Sequence, residues 1–494
     1  MAISKVSFFK TPQANDDCYY WTEDNLQLDT KVYNTATGYL TLDVMANDLG
    51  GNAKTLYSID DGNGNPINPT DLFNADTLTN GVSAWQTTAD GNQARINNGK
   101  IEFDLSHELP GGVNSLGAGD QFTDTFIYAI RLGNGTLSWA HVRITIDGAN
   151  DSASIIVSGK EDTSVAEDGG VANGTLGDPN ASGTLTVNDV DVGENKFKTP
   201  ASLDGTYGTF SFNENTGAWS YLLDQGKADN LTDGQLVTDT LTVSSLDGTA
   251  SHDIVIKITG SNDDATIGVV GLQDTGVSED GGAANATKGD PSASGTLVVN
   301  DVDTGENKFQ APGSLDGTYG TFTFTENTGA WTYLLDQSKA DELTGTTIVT
   351  ETLTVMSLDG TANYDIKVDV SGTNDNASIS VVGVPDQSAV EAGGTGNNTL
   401  GDPSASGLLA VSDVDLGENK FQAPGSLDGT YGTFTLNTLS GAWTYTLDQG
   451  KADKLTAGEA AQDSLTVTSF DGTATYDIKV DITGSNDKAS ISHL

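Results

Sequence analysis

Cysteine is nearly absent from this chain. Cys18 stands alone among 494 residues, so no intrachain disulfide is possible, and stability must come from apolar cores or from metals. Methionine occurs three times and histidine four times. The four histidines, His107, His141, His252 and His493, occupy non-equivalent positions, and none sits in a nucleophile motif. There is no Gly-x-Ser-x-Gly, phosphate loop or His-Glu-x-x-His, so no enzyme is expected. Basic residues are scarce as well: 22 Lys and Arg against 69 Asp and Glu, a formal charge of −47. That excludes nucleic acid and anionic membrane as partners, since both need a basic face. No apolar run is long enough to span a bilayer, which excludes membrane insertion through a helix. The opening Met-Ala-Ile-Ser-Lys-Val-Ser-Phe-Phe-Lys is too short and too polar for a signal-peptide core. Helical periodicity is missing too, apart from one helical turn expected within 224–234.

What is abundant is glycine (59 residues), with Thr, Val, Ile, Asp and Asn, the composition of short strands joined by tight turns. The acidic excess has two readings, a self-repelling soluble surface or a protein that meets many divalent cations. The positions of the acids must decide between them.

Those positions repeat. Trp219, Trp331 and Trp443 lie in Gly-Ala-Trp-[Ser/Thr]-Tyr at a spacing of 112 residues. Asn150, Asn262, Asn374 and Asn486, each followed by Asp, keep the same spacing, as do Glu167, Glu279 and Glu391, and Asp189, Asp301 and Asp413. Self-similarity of this kind marks tandem copies of one unit. The expected division is the end of a preceding linker at 1–17, a divergent copy at 18–149, and near-copies at 150–261, 262–373 and 374–485. Residues 486–494 then start a truncated further copy, so both ends read as those of an excised piece. Each copy reads as strands: 208–212 and 218–223 alternate around a Gly-containing turn, and 240–243 and 252–258 flank an Asp-Gly turn. About seven short strands in ~110 residues predict an all-β fold of tandem antiparallel immunoglobulin-like sandwiches. Trp219 and Tyr221 are expected in the core. No flexible linker separates the copies, so the junctions need something to lock them.

A subset of acids converges on those junctions. Asp301-Val-Asp303-Thr-Gly-Glu-Asn307 is an Asp-x-Asp-x-Gly-x-Asn loop, in which alternate carboxylates can face one centre while Gly allows a sharp turn. A hard cation that takes six to eight oxygens suits such a loop, and the absence of His and Cys disfavours zinc and copper. Calcium is therefore the expected cofactor. Conformation alone explains most other aspartates, including Asp247, Asp359 and Asp471 in Asp-Gly turns, and Asp204, Asp316 and Asp428 in Ser-Leu-Asp-Gly-Thr-Tyr.

Thr240-Leu-Thr-Val-Ser-Ser-Leu-Asp-Gly-Thr through Ile258-Thr-Gly-Ser-Asn-Asp resembles the last strands and inter-repeat linker of a cadherin repeat, and the 301–307 loop resembles a cadherin calcium loop. The ordered set Gly-Thr-Tyr-Gly-Thr-Phe, Gly-Ala-Trp-x-Tyr-x-Leu-Asp, Asp-Gly-Thr and Gly-[Ser/Thr]-Asn-Asp is similar to the VCBS repeat of large bacterial RTX-type adhesins. The resemblance implies an elongated rod of cadherin-like sandwiches with metals between repeats. The implied ligands are Asn150, Asp151, Asp189, Asp191 and Asn195 at the first full junction. At the second they are Glu167, Asn262, Asp263, Asp301, Asp303 and Asn307. At the third they are Glu279, Asn374, Asp375, Asp413, Asp415 and Asn419, with Glu23 and Glu391 as further ligands, Glu391 at the position equivalent to Glu167. The N-terminal counterpart would use Asn15, Asp16, Asp48 and Asn52, although Ala46 stands where the later copies have Asp189. The cadherin Leu-Asp-Arg-Glu segment is missing; Leu223-Asp224-Gln225 lies where a substitute would be needed.

The resemblance further implies a calcium-stiffened extender of a type I secreted protein on the bacterial cell surface, monomeric, with neighbouring repeats as its partners. The alternative is a module that binds polysaccharide or a cell-surface ligand through the divergent copy, which carries Tyr19, Tyr20, Trp21, Trp85 and Trp139 and a longer stretch around 60–100.

Overall fold

The computed structural model describes residues 13–60, 71–109, 111–489 and 491. Residues 1–12 of the expected end segment 1–17, residues 490 and 492–494 of the expected segment 486–494 (with His493), and part of the long stretch in the first copy (61–70) lie outside the described residues. The chain divides into two compact units, one ending at Ser261 and the other beginning at Asn262; the short helix Gly170–Asn173 belongs to the second. Among the described residues no helix is long and apolar enough to cross a membrane.

Each near-copy contributes seven strands to two facing sheets, and the copy at 150–261 shows the plan. One sheet has the order Ser154–Val157, Asn180–Asn188, Ala218–Leu223, Gly208–Phe212; the other has the order Ser164–Ala166, Ser251–Thr259, Leu236–Ser244. Alternation decides which face is inside. Leu241, Val243, Ile254, Ile256 and Ile258 are buried, while Thr240, Thr242 and Lys257 point outward. Each buried aliphatic contributes roughly 1.5–3 kcal/mol. Trp219 and Tyr221 are buried as expected, with Tyr221 packed edge-on against Phe210 at 4.8 Å. Trp219 pairs in register with Gly183 on the adjoining strand, and a Cβ on that glycine would stand 2.7 Å from the indole. The same collision is built into Gly295 under Trp331 and Gly407 under Trp443, so these strand glycines exist to let the indole lie flat. The expected helical turn forms at Gln225–Ala228.

One feature departs from an all-antiparallel sandwich. Ser164–Ala166 runs parallel to Ser251–Thr259, as Gly276–Ser278 does to Asn363–Ser371 and Ser388–Val390 to Thr475–Thr483. The cause is a first strand that begins on one sheet and crosses to the other. In the last copy it stays on the first sheet as far as Asp386, with an irregularity after Val382, and then crosses.

The divergent copy also has two sheets, one of order Asp17–Thr22, Leu137–Asp147, Gln121–Arg131, Thr55–Ile59, the other of order Tyr33–Asn34, Tyr39–Leu42, Lys100–Asp104, Gln93–Asn97, Gln86–Thr87. Its core holds Leu40, Leu42, Phe103, Phe126, Tyr128, Val142 and Ile144.

Candidate metal centres

In the first unit, three stretches far apart in sequence bring carboxylates together. Glu23 opens the short helix Glu23–Leu28, Asp151 follows strand Leu137–Asp147, and Asp191 lies in the loop after Asn180–Asn188. One oxygen of each lies within 4.8 Å of the others. Glu23 is 0 % exposed; its Oε1 accepts the Ala149 N–H at 3.0 Å, and its Oε2 has no hydrogen-bond partner. Asp191 is equally buried; its Oδ2 accepts the Asp151 N–H at 3.0 Å, and its Oδ1 has no partner. Burial, and then the charges of Asp151 and Asp191, push Glu23 up to about 7. A backbone link between the copies, from the Val192 N–H to the Ser115 carbonyl at 3.1 Å, holds the loop in place.

In a second group, Asp189, Glu194 and Asp247, one oxygen of each likewise lies within 4.8 Å of the others. Buried Asp189 Oδ2 and Glu194 Oε2 have no partners. Burial acts to raise Asp247, but hydrogen bonds from Ser245, Thr249 and Asn150 outweigh it and hold that carboxyl below its usual range. The Asp189 N–H donates to Asn195 Oδ1 at 2.9 Å, so the last residue of the Asp-x-Asp-x-Gly-x-Asn loop closes the loop on itself.

The second unit repeats the plan. Glu279 Oε2 accepts the Thr373 N–H at 3.1 Å, and its buried Oε1 has no partner. Asp415 Oδ2 accepts the Asp375 N–H at 3.0 Å, and its buried Oδ1 is likewise bare. Burial first, then Asp375, Asp341 and Asp415, push Glu279 up to about 7; burial, Asp415 and Asp341 push Asp375 up to about 6. Asp413, Glu418 and Asp471 form one group here, and Asp301, Glu306 and Asp359 another. Asn307 and Asn419 accept the N–H of Asp301 and Asp413, as Asn195 does for Asp189. The Asp263 N–H donates to Asp303 at 3.0 Å, and the Leu416 N–H to the Glu342 carbonyl at 3.1 Å. Near the C-terminus Glu391, Asp453 and Asp487 converge, with Glu391 Oε2 also accepting the Ser485 N–H. In the first unit Glu167 Oε2 accepts the Ser261 N–H at 3.0 Å.

The side chains of Asn150, Asn262 and Asn374 donate to the carbonyl of the following Asp and toward Asp247, Asp359 and Asp471, which places them beside the groups. The N-terminal set does not assemble in this way. Asp48 is buried and accepts from the Asn15 N–H and the Tyr128 hydroxyl, Asp16 faces His141, and Asn52 is exposed.

Three sets of acids in or beside these groups were not marked as ligands by the sequence or were assigned to turns. Glu194, Glu306 and Glu418 follow the loop glycine. Asp247, Asp359 and Asp471 serve their Asp-Gly turns and also reach the groups. Asp341 and Asp453 end the short helical turns. All three keep the 112-residue spacing, and that was the available signal. The neighbouring Asp224-Gln225 position does other work: Gln225 Oε1 accepts the Asp168 N–H, as Gln337 does for Asp280, while Asp336 and Asp448 cap their helical turns.

The donor set is all oxygen. Among the described residues, ion pairs within 4 Å join Arg95 to Glu102, Lys100 to Asp43 and His141 to Asp16, and no such pair reaches Glu23, Asp151, Asp191, Asp189, Glu194 or Asp247. Buried anionic oxygens facing one another without donors suit a hard divalent cation.

The aromatic candidates separate. Tyr19 and Trp21 stack at 5.5 Å against the first core, and Trp85 lies under the Arg95 guanidinium at 4.3 Å; Tyr20 (62 % exposed) and Trp139 (37 %) face solvent.

Neither a scan of protein-family models nor a search of curated proteins finds a match. Solved structures that resemble the chain are cadherin tandems. Protocadherin Gamma B2 extracellular domains 1–5 align at 15 % identity and a TM-score of 0.35, over 99 % of this chain and 82 % of that one. The Protocadherin GammaB4 extracellular domain aligns at 15 % and 0.33, over 96 % and 66 %. Drosophila N-cadherin EC1–4 aligns at 12 % and 0.25, over 96 % and 99 %. Superposition this loose carries no residue across.

Proposed function

We propose that the chain is a calcium-rigidified extender of a secreted bacterial surface adhesin of the VCBS-bearing RTX type. Its tandem repeats, with boundaries near 150, 262 and 374, form a monomeric rod that projects distal binding domains from the cell. The observation that carries this reading is the Glu23, Asp151 and Asp191 group, where a helix of one copy and a loop of the next each present a buried carboxylate oxygen without a hydrogen-bond partner beside the linker carboxylate of Asp151. One divalent ion there would tie all three stretches together and remove the repulsion between them. The Asp189, Glu194 and Asp247 group, and its counterparts Asp301, Glu306 and Asp359 and Asp413, Glu418 and Asp471, would each hold a further ion. Export fits the same chemistry, since cells keep free calcium low inside and meet it outside. Small-angle scattering of the full chain tests the proposal: calcium should lengthen and narrow the particle and chelator should reverse the change, whereas identical profiles would refute it.

Exposed Tyr20 and Trp139 favour a second reading, in which the divergent copy binds a polysaccharide. A glycan array probed with the full chain, and with Tyr20→Ala and Trp139→Ala, tests it; no binding by the parent chain removes it.

A further inference from the structure

Three near-copies make an internal control, and one buried position sets the middle copy apart from both others. Asp239 and Asp463 are equivalent buried carboxylates on the strands Leu236–Ser244 and Ala460–Thr468. Asp239 accepts the N–H groups of Thr206, Tyr207 and Gly208, and the Tyr221 hydroxyl at 2.7 Å. Asp463 accepts the same set from Thr430, Tyr431 and Gly432, with the Tyr445 hydroxyl again at 2.7 Å. One carboxylate thus pins the Asp-Gly-Thr-Tyr-Gly loop to the opposite sheet and satisfies the core tyrosine.

The middle copy has Glu351 at this place. The extra methylene carries its carboxylate onto the turn at Thr318, where both oxygens accept the Thr318 N–H, with Tyr319 the other donor. Gly320 is not among its donors, and the hydroxyl of fully buried Tyr333 has no partner. A second difference lies on the strand that carries Tyr333. Trp219 Nε1 reaches Glu161 at 3.4 Å in the copy at 150–261. Gln273 occupies the equivalent place in the middle copy, turns its amide to the Thr296 carbonyl, and leaves buried Trp331 Nε1 without a partner. Pro385 stands there in the last copy, so this contrast is with the copy at 150–261 alone. Leaving a buried donor unmade costs more than the bond itself contributes in water.

We infer that the copy at 262–373 is the element of this array that opens first, a built-in weak link whose loop and sheet separate while the copies on either side stay closed. A chain under tension would then extend by one copy before any other yields. The inference stands on packing within single copies and does not depend on calcium.

Hydrogen exchange with mass spectrometry on the full chain in saturating calcium tests it. Amides of Ile348–Met356 and Ala330–Leu335 should open about tenfold more often than their equivalents in the flanking copies, a difference of about 1.4 kcal/mol. Glu351→Asp should restore the Tyr333 bond and slow that exchange toward its neighbours. The reciprocal Asp463→Glu should make the last copy exchange like the middle one. Equal exchange in all three copies, or no slowing in Glu351→Asp, would overturn the inference.

Discussion

Replacing Glu23 with glutamine should stabilise the first junction without calcium and destabilise it with calcium. Glu23 has carboxylate neighbours within 4.8 Å in both Asp151 and Asp191. At that separation and an effective dielectric near 20, each pair repels by about 3 kcal/mol. Salt and partial protonation reduce this, so the net relief is about 1–2 kcal/mol at pH 8. Glutamine keeps an oxygen for the Ala149 N–H, so the change removes charge while keeping shape. In calcium the same change removes an anionic ligand. A loss of at least tenfold in affinity then lowers stability by about 1.4 kcal/mol in excess metal. The assay is hydrogen exchange of Leu137–Asp147 and Asn180–Asn188 in the full chain, in chelator and in calcium. Opening should become roughly fivefold to thirtyfold rarer in chelator and at least tenfold more frequent in calcium. A shift of the same sign under both conditions would refute the reasoning.

Other tests follow from the same geometry. Glu23 and Glu279 are raised from 4.5 to about 7 and Asp375 from 3.8 to about 6, so the folded state favours their protonated forms. Stability from these groups is complete below their unfolded values and is lost as pH rises through 6–7, so metal-free protein should melt at a higher temperature at pH 5 than at pH 8. In calcium the order should reverse, because protons compete with metal for the same oxygens. Gly407→Ala puts a methyl group 2.7 Å from the Trp443 ring and should cost about 1–3 kcal/mol, read as a lower melting transition. Tyr445→Phe leaves Asp463 one donor short and should cost about 1–2 kcal/mol without changing calcium stoichiometry by native mass spectrometry.

Much of the fold was legible because the pattern is repeated. Alternation around the Trp219 and Asp247 turns marked hairpins, and the structure places strands there. The crossing of Ser164–Ala166 to the other sheet left no such mark, since three residues are too few to show a period and parallel pairing has no local turn. The acids were legible as a repeating set, but their division of labour was not. Asp247 keeps its turn contact to the Thr249 N–H and also reaches Asp189 and Glu194, so a turn reading and a cluster reading describe the same side chain. Asn195 shares the loop pattern, yet its oxygen is spent on the Asp189 N–H.

By itself the sequence determined the 112-residue register, the inward alternation of each strand and the excess of hard oxygen donors, because these depend on residue type and spacing along the chain. Only the tertiary structure decided which oxygens meet. Glu23 and Asp191 are 168 residues apart, and what makes them a candidate centre is that folding buries both, gives each one backbone donor and leaves each one oxygen bare. Tyr333 shows the same limit: one methylene at Glu351 moves a carboxylate off a buried hydroxyl, and no local pattern records that distance.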